Sequence, residues 1–148
     1  MKFVVKTLLV SAVAAVAISG AYAQSAAIAK RKDILKGFGD ATKPVAAMLK
    51  GEAAYDGAAV QKALAAYTAG AKDLKGLFPD DSKTGGDTAA LPKIWEDKAK
   101  FEGIYDKLAA DATAASGAIK DEASLKANFG KVLGNCKACH DDYRAKKS

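Results

Sequence analysis

Apolar residues recur along this chain at helical spacing, in four separate stretches. The run "AAIAKRKDILKGFGDATKPVAAMLKG" places Ile34, Leu35, Phe38, Ala41, Val45 and Met48 on one side, with Gly51 as its end and Pro44 as an expected bend. Residues 56–78 carry Val60, Leu64, Tyr67, Ala71, Leu74 and Phe78 at alternating four- and three-residue steps. Asp56 is the expected N-cap, and Pro79 is expected to stop this helix at Phe78. After the polar stretch "DDSKTGGDTAA", Pro92 opens a third helix with Ile94, Trp95, Phe101, Ile104, Tyr105 and Leu108 inward, ending near Ser116. The fourth begins at Asp121 and carries Leu125, Phe129, Val132, Leu133, Cys136, Cys139, His140 and Tyr143. Short first and last connections predict an all-α, antiparallel up-down-up-down four-helix bundle. In that topology the start of the first helix lies beside the end of the last.

The N-terminus stands apart from this pattern. Lys2 and Lys6 precede the apolar run "TLLVSAVAAVAI" and the small-residue sequence "AYA", which predicts a secretory signal peptide over residues 1–23 with cleavage after Ala23. The run is too short to cross a bilayer, which takes about 20 apolar residues, so no membrane insertion is expected after cleavage. Residues 24–148 are then one exported domain. Its formal charge falls from +6 to +4 without Lys2 and Lys6, and the cations are dispersed, which argues for a solvated surface and against a nucleic-acid site.

The chemistry is concentrated in "CKACH", which holds both cysteines and the single histidine of the chain. Positions i, i+3 and i+4 of a helix span about 100° of arc, so Cys136, Cys139 and His140 project from one side. A structural zinc site needs four ligands, and no second pair exists to complete one. A dithiol redox centre normally opens a helix in a βαβ fold and leaves His140 without a task. Two free structural thiols suit an oxidising compartment poorly. Covalent c-type haem uses all three residues: the thiols add to the porphyrin vinyl groups and His140 becomes the axial iron ligand. Phe38, Phe78, Trp95, Phe101 and Phe129 are candidates to line a dry slot for it, or equally to be ordinary core. No paired nucleophile and base or second metal site is visible, so no enzyme is expected.

The sixth iron position has one candidate thioether in the mature chain, Met48. It lies about 20 Å along the helix axis from Leu35, toward the wrong end, and reads as core packing. Leu35, at the right height, has no atom that binds iron.

From "RKDILK" through "KGEAAYD", "LFPD" and "PKIWED" to "CKACHDDYR", the mature chain resembles the class II cytochromes c, the cytochrome c′ group of exported bacterial four-helix bundles. The resemblance implies one haem c, held through Cys136 and Cys139, in a periplasmic protein. A methionine at the position matched by Leu35 makes members of the group low-spin electron carriers. A bulky apolar residue there makes a five-coordinate cytochrome c′ that binds nitric oxide or carbon monoxide. Leu35 implies the second kind, while "LFPD", "PKIWED" and "IKDEASLKANFGKV" resemble the methionine-bearing members and keep the six-coordinate carrier as the alternative. The resemblance further implies Arg31 and Lys32 near the haem propionates, Trp95 in the haem surroundings, Arg144 against the proximal His140, Asp87 as a haem-contacting loop residue, redox partner proteins and a homodimer through the first helices. Arg144, four residues after His140, is expected on the same helical face.

Overall fold

The computed structural model describes the backbone of residues 4–146 and the side chains of residues 26–146; the leader expected at residues 1–23 lies outside the described side chains. Four long helices, α1 (Val4–Lys50), α2 (Gly57–Lys75), α4 (Lys98–Ala118) and α5 (Glu122–Tyr143), form the antiparallel four-helix bundle, with a four-residue α3 (Lys93–Glu96) between α2 and α4. Among the described residues there is no strand, only an isolated bridge between Ala90 and Arg144. No helix among them is long and apolar enough to cross a membrane.

Local sequence explains most of the boundaries. Asp56 is extended and its carboxylate accepts the Ala58 and Ala59 backbone N–H groups at 2.9 and 3.1 Å, satisfying two of the open donors of α2. Asp121 caps α5 in the same way, through a reciprocal box with Ser124. Gly51, at φ +76°, turns the chain out of α1, and Pro44 is carried inside that helix. Gly70 lets α1 and α2 approach closely, since a Cβ there would stand 2.5 Å from Phe38.

Two expectations are corrected. α2 ends at Lys75, three residues before Phe78, because the Gly76 and Leu77 N–H groups turn back to the Asp73 and Leu74 carbonyls and tighten the chain into a turn. Phe78 leaves the helix yet stays buried. The third helix is not continuous either: the backbone breaks at Asp97 (φ −135°, ψ 63°), whose carboxylate then accepts the Lys100 N–H at 3.2 Å and starts α4 afresh.

The core has two aromatic groups. Tyr67 contacts Phe38 and Phe129 in the middle of the bundle, while Phe78, Trp95, Phe101, Tyr105 and Tyr143 cluster at the end where α5 finishes, with ring centroids 4.7 to 6.4 Å apart.

One polar network ties α4 to α5. Asp111, with its side chain only 8% exposed, accepts from Asn135 Nδ2 at 2.8 Å and pairs with Lys107 and, at 3.1 Å, with Lys131. The Lys107 hydrogen bond, aided by Asn135 and Lys131, holds the Asp111 carboxyl at about 2, below its ordinary 3.8. A carboxylate depressed in this way stabilises the fold above its ordinary range, and the contribution is lost as pH falls from about 4 toward 2. Asp111→Asn is therefore expected to cost about 1.5–3 kcal/mol at neutral pH, from lost charge-assisted bonds. It is also expected to flatten the acid limb of stability measured by denaturant titration between pH 5 and 2. An acid limb identical to the parent's would show that Asp111 is not the group that titrates.

Candidate functional site

The last turns of α5 present Cys136, Cys139 and His140 on one sector, as the spacing requires. Both cysteines are free and half-buried, and Cys139 packs against the hydrophobic core. Burial raises the Cys136 thiol and pushes Cys139 up to about 11, with Cys136 and Asp142 adding to the latter. Both are therefore neutral at physiological pH, unlike the acidic thiols of redox dithiol centres. His140 is shifted the other way, its basicity lowered by burial first and by the Arg144 cation second. A neutral imidazole is the form that ligates a metal.

The α1 helix packs against both α2 and α5. Leu35 is 38% exposed, although it follows Ile28 by seven residues and Arg31 by four. It therefore lies within about 20° and about 40° of those two buried residues around the helix. An apolar side chain thus points along the inward stripe of α1 without being covered by the bundle's own core. Tyr67 of α2 and Tyr105 of α4 are both buried, and burial raises the pKa of each. Two thiols, one neutral imidazole and an uncovered leucine are a donor set and an apolar wall that fit a c-type haem. Among the described residues no three His, Cys, Asp or Glu side chains gather where they could hold a metal ion.

Arg31 is not a free cation at this edge. It is 3% exposed, and its guanidinium donates to Leu77 O (3.3 Å), Ser82 Oγ (3.0 Å), Ser82 O (3.3 Å) and Thr88 Oγ1 (2.7 Å) while lying 4.7 Å above the Phe78 ring. Burial lowers its pKa, but a guanidinium stays charged. Lys32 pairs with the Asp87 carboxylate and also donates to the Asp87 carbonyl at 3.2 Å. Together these bonds strap the long loop between α2 and α3 onto α1. The loop's far end is fastened to the tail beyond α5, by Leu91 N–H to Tyr143 O (3.0 Å) and Ala145 N–H to Ala89 O (2.8 Å).

Trp95 is half-buried. Its indole N–H donates to Phe78 O and Pro79 O, both at 3.1 Å, and its ring meets Phe78 edge-on, so it supports the wall that Phe78 and Arg31 form. Arg144 is corrected in conformation: α5 ends at Tyr143, and Arg144 is extended (φ −118°, ψ 130°) and bridged to Ala90, off the helical face, though still near enough to act on His140. Met48 is 3% exposed at the opposite end of α1's described part, where its Sδ takes the Asp56 N–H at 3.4 Å. Ser82, Thr88 and Asn135 were not foreseen as neighbours of the site. Isolated polar residues in a loop or on a helix carry no periodic signal, and only the fold gives them partners.

These features define a class first: a four-helix bundle built to carry a c-type haem beside the end of its last helix. Residues 26–144 match the family model described as Cytochrome C', and the chain belongs to the cytochrome c′ family, whose members bind c-type haem covalently. A cytochrome c′ of Rhodopseudomonas palustris is 72% identical over 128 residues, covering 86% of this chain and 88% of that one. A solved cytochrome c′ from that species superposes with a TM-score of 0.81 at 73% identity, covering 82% of this chain and 98% of the other. The same species has a cytochrome c-556 that is 34% identical over 146 residues, 96% of this chain and 98% of its own. A mutant of cytochrome c prime from Alcaligenes xylosoxidans, solved as a nitric oxide complex, is 27% identical with a TM-score of 0.71 over 83% of this chain and 97% of its own.

Proposed function

We propose that this chain is an exported, periplasmic cytochrome c′ whose residues 1–23 are removed as a signal peptide and whose residues 24–148 form the haem domain. Cys136 and Cys139 anchor the haem and His140 binds its iron. Arg31 and Lys32 set a positive potential at the edge where the haem carboxylates need charge partners, and Trp95 and Arg144 steady the surroundings. Bound there, the haem supplies an iron that takes up a single electron and, where a coordination position is left open, a diatomic gas. Leu35 covers that position with hydrocarbon, which favours nitric oxide and carbon monoxide over water or larger polar ligands. The protein carries electrons to partner proteins and binds gases without catalysing a reaction of its own, and it pairs with a second copy through α1 and α2.

The observation that supports this reading is Leu35, an apolar residue left uncovered on the inward stripe of α1. Nitric oxide bound in the distantly related Alcaligenes protein adds support. The test is the absorption spectrum of the reduced protein before and after carbon monoxide: a high-spin spectrum that changes at once on gas addition is expected. A low-spin spectrum indifferent to the gas would instead select the second reading, a six-coordinate electron carrier like the cytochromes c-556, which the 34% identity to one of them favours.

That second reading needs a sixth ligand, and Met48 is the thioether on offer. Its burial and its bond to Asp56 N–H argue that Met48→Leu leaves the haem spectrum unchanged and costs under about 1.5 kcal/mol, as for a volume-conserving core swap. Loss of a low-spin spectrum in this variant would make Met48 the ligand.

A further inference from the structure

Arg31 is a buried cation without an anion beside it. Its guanidinium donates four hydrogen bonds, to Leu77 O, Ser82 Oγ, Ser82 O and Thr88 Oγ1, and all four acceptors are neutral. Among the described residues every ion pair is made by a lysine and none by Arg31. A charge taken out of water is ordinarily paired, because a neutral oxygen satisfies an N–H without cancelling the charge. Two hydroxyls make the exception possible, and the loop's own backbone aims both. Ser82, wholly buried, donates to Pro79 O at 2.8 Å and offers its oxygen to Arg31 Nη1 at 3.0 Å. Thr88 Oγ1 takes the Ala90 N–H at 3.2 Å and the shortest of the four guanidinium bonds, at 2.7 Å.

This cation stands at the end of the bundle where α5 finishes. Ala89, next to Thr88, accepts the Ala145 N–H at 2.8 Å, and Ala90 bridges Arg144, four residues after His140. Phe78, whose ring lies 4.7 Å from the guanidinium, meets Phe101 at 4.7 Å, and Phe101 meets Tyr143 of α5 at 5.1 Å. We propose that Ser82 and Thr88 are positioning residues of the haem site, which hold the Arg31 guanidinium out of water without neutralising it, so that its positive field reaches the haem carboxylates and the iron. This rests on the place given above to Arg31 at the haem edge. A carboxylate at either position would cancel the charge inside the loop, and an apolar side chain releases the guanidinium to water, which screens it. A weakly screened cation favours ionised over protonated carboxyls. It also favours the reduced over the oxidised haem, because the oxidised iron carries one positive charge more.

The test is Thr88→Val in the holoprotein, beside Thr88→Ser, which restores the hydroxyl. Ala145→Pro serves as a control, since it removes the N–H that fastens the loop to the tail and leaves the four Arg31 bonds in place. Thr88→Val is expected to lower the reduction potential and to move the carboxyl ionisation seen in its pH dependence upward by about one unit. The Arg31 guanidinium protons, followed by 15N NMR, are expected to exchange with water about tenfold faster in that variant, as befits a lost hydrogen bond to a charged group. Thr88→Ser is expected to keep the parent's values in all three measurements, and Ala145→Pro the parent's potential and ionisation. A parental potential and ionisation in Thr88→Val, no recovery in Thr88→Ser, equal changes in Ala145→Pro, or a shifted potential with unchanged Arg31 exchange would each overturn the proposal. Should Thr88→Val fail to fold, Ser82→Ala decides, and a potential that does not fall there sinks the idea. Haem staining on a denaturing gel is expected at full level in every protein. Its absence from the parent would refute the anchoring by Cys136 and Cys139, and the Arg31 exchange rates would then decide the role of Ser82 and Thr88 alone.

Discussion

The holoprotein with Cys136→Ser and Cys139→Ser together, produced alongside the haem-attachment machinery, is expected to contain no haem that survives acid-acetone extraction. A serine hydroxyl is close in size to a thiol, so the last turn of α5 can still form. What is lost is the sulfur that joins each vinyl group. His140 alone then holds the haem, and a single neutral imidazole on an exposed turn gives it up under acid. The bundle loses stability as well, because a ligand that binds only the folded state stabilises by mass action and a covalent one cannot leave. Leu35 would face water in its place. The expected readings are a fall in covalent haem from one per chain to none and a lower thermal midpoint. Acid-stable haem recovered at the parent's stoichiometry from the double variant would remove the whole account of the site.

The wild-type site shows how far a sequence can be read and where reading stops. The helical stripes of α2 and α5 were legible because burial enforces a period: Val60, Leu64, Tyr67, Ala71 and Leu74 are all buried, as are Leu125, Phe129 and Val132. Asp56 and Asp121 were legible or nearly so because capping chemistry is local. The break at Asp97 was not, since an aspartate within an apolar pattern reads equally as a solvated position and as a cap, and only the turn of α3 against the loop decides it. "CKACH" was legible because three rare side chains at one helical spacing admit few chemistries. Arg31 was legible as a residue of the site but not in its surroundings. Its four hydrogen bonds run to residues 46 to 57 positions away in the chain, and no local pattern announces partners at that separation.

The sharpest consequence concerns Leu35. Leucine and methionine differ little in volume, so Leu35→Met is expected to fit the same place on α1 while putting a thioether where a branched hydrocarbon stood. Leu35 is the uncovered apolar residue on the inward stripe of α1, one turn beyond Arg31. On the proposed reading the new sulfur would be an iron ligand in addition to His140. The absorption spectrum is expected to pass from high-spin to largely low-spin, and carbon monoxide, which must now displace a protein ligand, is expected to bind the reduced form more weakly. A displaced contact worth about 1.4 kcal/mol already makes that difference tenfold. Stability should stay within about 1.5 kcal/mol of the parent, so a changed spectrum would not reflect unfolding. The comparison also separates the two functional readings, because a six-coordinate carrier has its sixth ligand already and gains nothing from a second thioether. A parent protein that is low-spin from the outset, or a variant with the parent's spin state and gas affinity, would place Leu35 away from the iron and return the chain to the class of saturated electron carriers.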